Sequence, residues 1–413
     1  MARSPRPLAQ HRSALRLMTM RDPNEPHRAA SSLELLFDLT IVVGVSFSST
    51  ALHHNLTEGH GAISVVYFAM GFFGLWLAWL NFTWFATSFD TDDWLYRIAT
   101  IVQMGGALTY AAGLPKLEDV EHPDFTLGVT GYVIMRLPMA FQWFRAAVSD
   151  PRYRRTTLTY GFGILIAQVF WTSLLFVPTS LAVPTFGVGI VLEMLVPIVA
   201  ERRVQTQWHR HHVTERYGLF TLIVLGESIL ASTNAVVAAG SHTDHLPSLV
   251  LLAASSLVII AAFWWIYFAF PQHNLLGSAG MAFTWGYGHY VIFASAAALA
   301  AGIEIAIDTG EGEGGSHLST IASSAALAVP CAVFVLFVWL FVLRRVSSRR
   351  VNTVVPVFVV LIALASFAPF ALQVVAGLLV IVVVVVVSGA DRSSSPSSSS
   401  SSSPGSGSGL VDA

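Results

Sequence analysis

Runs of about 20 predominantly apolar residues recur along the sequence, the length that a helix needs to cross a hydrocarbon core about 30 Å thick. Lipid offers the backbone no hydrogen-bonding partner, so such runs cross it as helices. Hydrophobic residues make up 54% of the chain and charged residues 11%, whereas soluble domains have about 25% charged residues. We therefore predict an all-α, polytopic integral membrane protein. The predicted spans are 33–52, 62–86, 95–114, 125–147, 157–177, 181–200, 216–238, 247–270, 283–305, 323–343, 351–367 and 369–388.

The last two runs decide the number of spans, because only Pro369 interrupts them. The eleventh run is short, so the pair could form a tight hairpin, or one member could be re-entrant. Twelve spans is the prediction and eleven is the alternative. The chain divides into a basic cytoplasmic N-terminal segment (1–32), a transmembrane domain (33–388) and a Ser-rich tail (389–413), for which low complexity predicts disorder.

Positive charges alternate between the two sides of the predicted bundle. The N-terminal segment holds six Arg, and the segments 145–155, 201–216 and 344–350 hold four each. The intervening loops hold no Lys or Arg apart from Lys116. Since Lys and Arg accumulate in cytoplasmic loops, we expect both termini in the cytoplasm.

A weak internal repeat relates segments that lie 182 to 189 residues apart. Both members of each pair run in the same direction. This predicts a parallel six-plus-six repeat, with halves 33–200 and 216–388, about an axis along the membrane normal. The alternative is chance similarity among Ala/Val/Trp-rich helices. The pairs are IVVGVSF (41–47) with IVLGESI (223–229), LWLAWLNF (75–82) with FWWIYFAF (263–270), and TYAAGLP (109–115) with ALAAGIE (298–304).

Five motifs follow one another between about residues 28 and 305. They are LELLFDLTIVVGVS, NFTWFATSFDTDDWLYR, GYVIMRLPMAFQWFRAA, ERYGLFTLIVLGESI and WGYGHYVIFASAAALAAGIE. In these motifs the chain resembles the bacterial low temperature requirement A (LtrA) family. The resemblance implies a multispanning protein of the bacterial inner membrane, connected by the family's name with growth in the cold. It implies no particular reaction.

Ionisable residues inside the predicted spans are the strongest functional signal. A charge near the bilayer centre costs about 2.5–3.5 kcal/mol on insertion scales, so such residues usually face a partner or a wet cavity. Acids outnumber bases here, so some carboxyls must be protonated, solvated or bound to a cation. The pathway candidates are Asp38, Glu227, Glu34, Glu193 and Arg136, and the secondary candidates, nearer the interfaces where anchoring groups are common, are His289 and Glu304.

Each pathway candidate also has a structural interpretation. Glu34 and Asp38 are four residues apart and share a helix face, although Glu34 could simply reach the interface. Glu227 could form a structural pair with Arg136. The favoured hypothesis is that Asp38 and Glu227 carry the function, with Arg136 as their counter-charge and Glu34 as an entrance acid.

Two polar clusters flank the spans. In FDTDD (89–93), Asp90, Asp92 and Asp93 could hold a divalent cation, but capping of the third helix by Asp92 or Asp93 is the favoured interpretation. WHRHH (208–212) offers three His, but zinc requires a fixed geometry, so we expect a solvated basic loop. The sequence does not identify a metal.

These features favour a secondary transporter, or an ion or proton pathway, that uses intramembrane carboxylates and no cofactor. Its expected partners are the lipid bilayer and protons, cations or a small solute, and not nucleic acid. One alternative is a non-catalytic membrane factor in cold or stress adaptation. The other, a membrane enzyme acting on a lipid-linked substrate, has less support because no HExxH, GxSxG or Gly-rich phosphate loop is present.

Overall fold

A computed structural model describes residues 15–26, 28–239, 246–310 and 318–391. In these ranges all regular structure is helical, and each of the twelve predicted runs forms a long helix. The helices are α1 (Ser32–Thr57), α2 (Ala62–Phe89), α3 (Trp94–Leu117), α4 (Thr126–Ser149), α5 (Arg154–Ser173), α6 (Ala182–Ala200), α7 (Arg210–Ala239), α8 (Leu246–Phe268), α9 (Ala279–Gly310), α10 (Thr320–Val338), α11 (Arg349–Leu364) and α12 (Ala371–Asp391).

Nine helices in the described ranges are long and apolar enough to cross a membrane. The other three, α3, α4 and α7, have the length but a more polar composition. The predicted count of twelve spans is therefore supported for nine helices. α12 extends to Asp391, and the rest of the predicted tail, residues 392–413, lies outside the described ranges.

Helix neighbours follow the same order in the two halves of the chain. α1 packs against α2 and α3, and then α3 against α4, α4 against α5 and α5 against α6. α7 packs against α8 and α9, and then α9 against α10, α10 against α11 and α11 against α12. The halves meet where α1 contacts α7 and α9, and α2 also contacts both of these helices.

α2 is the most buried of the nine apolar helices. Its Trp79 is fully buried and stacks on Phe220 of α7, with ring centroids 4.4 Å apart. The edge of the same ring meets Phe293 of α9 at 5.7 Å. Aromatic contacts from one helix to two others thus join the first half of the chain to the second.

The segment before α1 closes one end of the bundle. The Arg21 amide donates to Ser88 O at the end of α2 over 2.9 Å, and the Met20 amide donates to Asp150 beyond α4. Arg28 is buried and donates to the Ala86 and Thr87 carbonyls in the last turn of α2. The segment before α1, the last turn of α2 and Asp150 thus meet at one end of the bundle. We call this end the basic end.

Candidate functional site

A buried polar cluster joins the first turns of α1 to the first turns of α7. This α1–α7 cluster consists of Glu34 and Asp38 on α1, Trp79 on α2, and His212 and Arg216 on α7. Arg216 Nη1 lies 2.9 Å from Glu34 Oε1, and Nη2 donates to Asp38 Oδ1. His212 Nε2 lies 3.0 Å from the same Glu34 oxygen. Trp79 Nε1 donates to Asp38 Oδ1 over 2.7 Å.

Local sequence places the four ionisable side chains. Glu34 and Asp38 are one helical turn apart on α1, and His212 and Arg216 have the same spacing on α7, so each pair occupies one face. α1 begins with a capping box. The Glu34 amide donates to the Ser31 hydroxyl, and Glu34 Oε2 accepts from the Ser31 amide over 2.7 Å. This box fixes the Glu34 carboxylate at the positive end of the helix dipole.

The cluster contains more carboxylate than guanidinium and has unused hydrogen-bonding capacity. The ion-paired side chains are at most 1% exposed. Among the described residues, Asp38 Oδ2, His212 Nδ1 and Arg216 Nε have no hydrogen-bond partner. With a neutral imidazole the formal charge is −1, and one added proton makes it zero. The cluster can therefore accept a proton at the contact between α1 and α7.

Arg136 belongs to a different ion pair from the predicted one. Its Nη2 donates to Glu193 Oε2 over 2.8 Å, joining α4 to α6. Tyr132 and Trp171 donate to the other Glu193 oxygen over 3.0 and 3.2 Å. The prediction that Arg136 is the counter-charge of Asp38 and Glu227 is wrong, because Arg136 forms its ion pair with Glu193.

Glu227 lies apart from both ion clusters. It is half-buried on α7, and within the described ranges it has no hydrogen bond or ion pair. Glu304 on α9 is also half-buried, near the contact between His53 Nε2 and Asp308 Oδ2, which is 2.9 Å long. The structure therefore does not bring Glu227 together with Asp38.

His289 is interior rather than interfacial. Its side chain is fully buried, because α9 begins at Ala279, four residues before the predicted start. Its Nδ1 lies 2.7 Å from Trp285 O, and its Nε2 lies 3.1 Å from the Tyr267 hydroxyl. Both ring nitrogens have partners within the protein, which gives His289 a structural role in joining α8 to α9.

Two acids of the 89–93 segment form caps and ion pairs. Asp93 is the N-cap of α3 and accepts from the Tyr96 amide over 2.9 Å, as the capping interpretation predicts. It also accepts from Arg145. Asp92 pairs with Arg97 at 2.8 Å. In the described part of the chain, no three His, Cys, Asp or Glu side chains are arranged to hold a metal ion.

Asp90, the third acid of this segment, carries a perturbed carboxyl. Its side chain is 9% exposed and lies 3.4 Å from Arg21. Burial raises the pKa of Asp90 to about 6, and the negative charge of Glu34 acts in the same direction. Arg28 and Arg21 oppose the shift. Asp90 thus titrates nearer neutral pH than an ordinary aspartate.

The sequence interpretation missed two members of the α1–α7 cluster. It placed His212 in a solvated loop and Arg216 at the first position of the seventh span, but α7 begins at Arg210 and both side chains are fully buried. His209 is also buried, and its Nε2 lies 2.8 Å from Glu25 O. The sequence did contain a signal for this cluster. Two acids lie four residues apart on α1, and two basic residues have the same spacing on α7.

Glu118 was missed as well. It ends α3 and is fully buried at the end of the bundle opposite the basic end. The Ser48 hydroxyl donates to its Oε1 over 2.6 Å, and Asn55 Nδ2 donates to its backbone oxygen. Among the described residues, Glu118 Oε2 has no hydrogen-bond partner and no basic side chain pairs with this carboxyl. The predicted third span ended at residue 114, which left Glu118 in a loop.

Comparison with known proteins identifies the family. The family model described as "Bacterial low temperature requirement A protein (LtrA)" matches residues 29–389. The chain belongs to this family. With nine apolar helices in the part of the chain that the structure describes, this LtrA family member is a multi-pass membrane protein.

The chain is also similar to a protein of Rhizobium meliloti (strain 1021) named "Uncharacterized protein RA0937". The two are 26% identical over 268 residues, which cover 63% of each chain. The match thus spans somewhat less than two thirds of that relative's length. No solved structure matches this LtrA family member.

Proposed function

We propose that this LtrA family member is a proton-coupled secondary transporter of the bacterial inner membrane, with the α1–α7 cluster as its protonation site. The observation that carries the proposal is the composition of this buried cluster, which has two carboxylates and an imidazole around one guanidinium. Buried ionisable groups in membrane proteins are expensive, and they mark proton relays and substrate pathways.

Protonation of the cluster would act on the contact between the halves. Asp38 belongs to α1 and Arg216 to α7, so a proton on Asp38 would remove the charge attraction between these two side chains. Glu34 would then remain as the ionised partner of Arg216. A change of pairing between two helices provides a two-state element that a proton gradient can bias.

A duplicated architecture is part of the proposal. The repeated order of helix neighbours in α1–α6 and α7–α12 supports the six-plus-six arrangement. At the offset of 182 residues that aligns 41–47 with 223–229, Glu34 aligns with Arg216 (216 − 34 = 182). Opposite charges at equivalent positions would let the halves attract each other across a shared axis.

In the proposed orientation the basic end faces the cytoplasm, since Arg-rich segments stay on that side. Reporter fusions after Leu56 and Gly312 should report the periplasm, and fusions after Arg154 and Ser348 the cytoplasm. Inverted signals at two of these sites would contradict the orientation. A fusion at Gly405 should report the cytoplasm if twelve helices cross the membrane and the periplasm if eleven do.

Flux in proteoliposomes tests the proposed activity. A panel of cations and small metabolites is supplied with and without an inward proton gradient, and at least one solute should accumulate faster with the gradient. Asp38→Asn should abolish that increment, whereas Glu215→Gln, which changes an exposed acid of α7, should retain it. If every flux ignores the gradient while Asp38→Asn still supports growth in the cold, the protein is instead a non-catalytic adaptation factor.

A further inference from the structure

An aromatic cavity of about 240 Å³ lies at the basic end of the bundle. It is bounded by α2, α4, α5, α6, α9 and the connection between α6 and α7. Exposed Gln205 and Gly280 lie on its wall, so solvent reaches it. Six aromatic side chains line it: Trp84, Trp143, Tyr160, Trp208, Phe283 and Tyr287.

The same wall carries the Glu201 carboxylate. Glu201 Oε1 accepts from the Tyr160 hydroxyl over 2.9 Å and from the Thr206 hydroxyl over 2.7 Å. Oε2 accepts from the Thr206 amide over 2.7 Å. These neutral donors hold the carboxylate in place, but within the described ranges no Arg, Lys or His forms an ion pair with it.

Burial raises the pKa of Glu201, and its hydrogen bonds to Thr206 and Tyr160 oppose that shift. A negative charge in this position therefore lacks both full hydration and a positive partner. A cation entering the cavity would supply the partner.

We infer that this cavity binds an organic cation of the alkylated ammonium class. Aromatic faces attract such cations through their quadrupoles, and Trp does so most strongly. Glu201 supplies the opposite charge and disfavours anions. A bare divalent ion is a poor fit, because it needs several oxygen ligands and Glu201 is the single carboxylate among the residues that line the cavity.

The aromatic rings of the cavity wall contact one another in pairs. Trp84 and Trp208 meet edge to face, with centroids 5.5 Å apart, and Phe283 stacks on Tyr287 at 4.0 Å. Tyr287 in turn contacts Trp76 of the core, with ring centroids 5.6 Å apart. The site thus reaches from the basic end toward the centre of the bundle. Naming this cation as the transported substrate rests on the proposed function, whereas its binding does not.

Titration with tetraethylammonium tests the site. The full-length protein, in nanodiscs of phosphatidylglycerol, is followed by calorimetry and tryptophan fluorescence. We expect saturable binding that weakens about tenfold in Glu201→Gln and in Trp208→Leu. Glu201→Gln keeps the oxygen that accepts from Tyr160 but turns an NH2 group toward the Thr206 amide, so gel filtration checks the fold of this variant. Glu215→Gln and Trp265→Leu, which change an exposed acid and an exposed Trp, should bind as the unaltered protein does.

The inference is overturned if binding does not saturate, or if the two site variants, shown to be folded by gel filtration, bind as tightly as their controls. Saturable binding without proton-driven flux would retain the site and contradict the proposed transport. Proton-driven flux without this binding would retain the proposed transport and contradict the site.

The ammonium group could belong to a free solute or to a lipid headgroup. Repeating the titration in phosphatidylcholine nanodiscs distinguishes these sources. Competition by the lipid would support the site with a choline headgroup as its occupant. Unchanged affinity would support the site with a soluble cation.

Discussion

Arg216 on α7 donates to Asp38 on α1 at a position where neither side chain is exposed to solvent. The same guanidinium lies 2.9 Å from Glu34, so one cation serves two buried carboxylates. Breaking a buried ion pair by removing one partner costs about 3–5 kcal/mol, because the other charge stays buried without compensation. Removing one partner therefore affects stability as well as the proposed function, and variants must separate the two.

Arg216→Gln should lower the free energy of unfolding by about 3–5 kcal/mol, because it leaves Glu34 and Asp38 without their cation. Asp38→Asn should be much milder, since Arg216 keeps Glu34. Fluorescence-detected gel filtration after heating measures both. Arg210→Gln changes an exposed Arg of the same helix and is the control. Partial recovery is expected in the double variant Asp38→Asn, Arg216→Gln, because only Glu34 then lacks its cation. Equal losses in both single variants would contradict this account of the pairing.

Glu193→Gln should also destabilise the protein by about 3–5 kcal/mol, because Arg136 would lose its buried partner. Glu227→Gln provides the comparison, since this half-buried acid has no ion pair in the described ranges, and we expect a change within about 0.5 kcal/mol. Thermal unfolding of the purified variants measures the difference. A larger loss of stability in Glu227→Gln than in Glu193→Gln would contradict this pairing and favour an ion pair between Glu227 and Arg136.

Asp90 should make stability depend on pH between 5 and 7.5. Its folded-state pKa, about 6, lies above the ordinary value of 3.8, so the folded protein binds the proton more tightly than the unfolded chain. The resulting stabilisation is fully present below pH 3.8 and is lost as pH rises through 6. The whole difference of about two units corresponds to about 3 kcal/mol as an upper bound. Of this, about 1.4 kcal/mol is lost between pH 5 and 7.5. The stability of the unaltered protein relative to Asp90→Asn should therefore fall between pH 5 and 7.5.

Asp150→Asn is the matched control for this titration. Hydrogen bonds from Arg152 lower the pKa of Asp150, so its stabilisation is lost only as pH falls below the ordinary aspartate range. The corresponding difference for Asp150→Asn should be constant from pH 5 to 7.5. A flat profile for Asp90→Asn as well would show that Asp90 is already ionised at pH 5.

The sequence predicted the helices well, because the length of an apolar run depends on the bilayer and not on neighbouring helices. It also found Glu34 and Asp38, since acids inside apolar runs stand out. It missed His212 and Arg216 because hydropathy marks the apolar part of a helix, and α7 begins six residues before that part.

The sequence alone did not predict which charged side chains form ion pairs between helices. Glu193 and Glu227 are both single acids in apolar runs, and nothing in their local sequence tells which one meets Arg136. The answer depends on the packing of α4, α5 and α6 around Tyr132 and Trp171, which brings Glu193 to the guanidinium. Tertiary contacts of this kind leave no periodic signal in one sequence.

The α3–α4 contact gives a prediction that is independent of charge. A methyl group on Gly131 would lie 2.2 Å from the Tyr110 backbone nitrogen, and a backbone atom cannot rotate away as a side chain can. Gly131→Ala should therefore push the helices apart and lower the free energy of unfolding by about 1–3 kcal/mol. Gly105 is an exposed glycine of α3 with open space around it. Gly105→Ala should be neutral or stabilise by up to about 1 kcal/mol, since Ala favours helix. Thermal unfolding of the two variants decides the matter, because equal midpoints would mean that α3 and α4 do not pack backbone to backbone at Gly131.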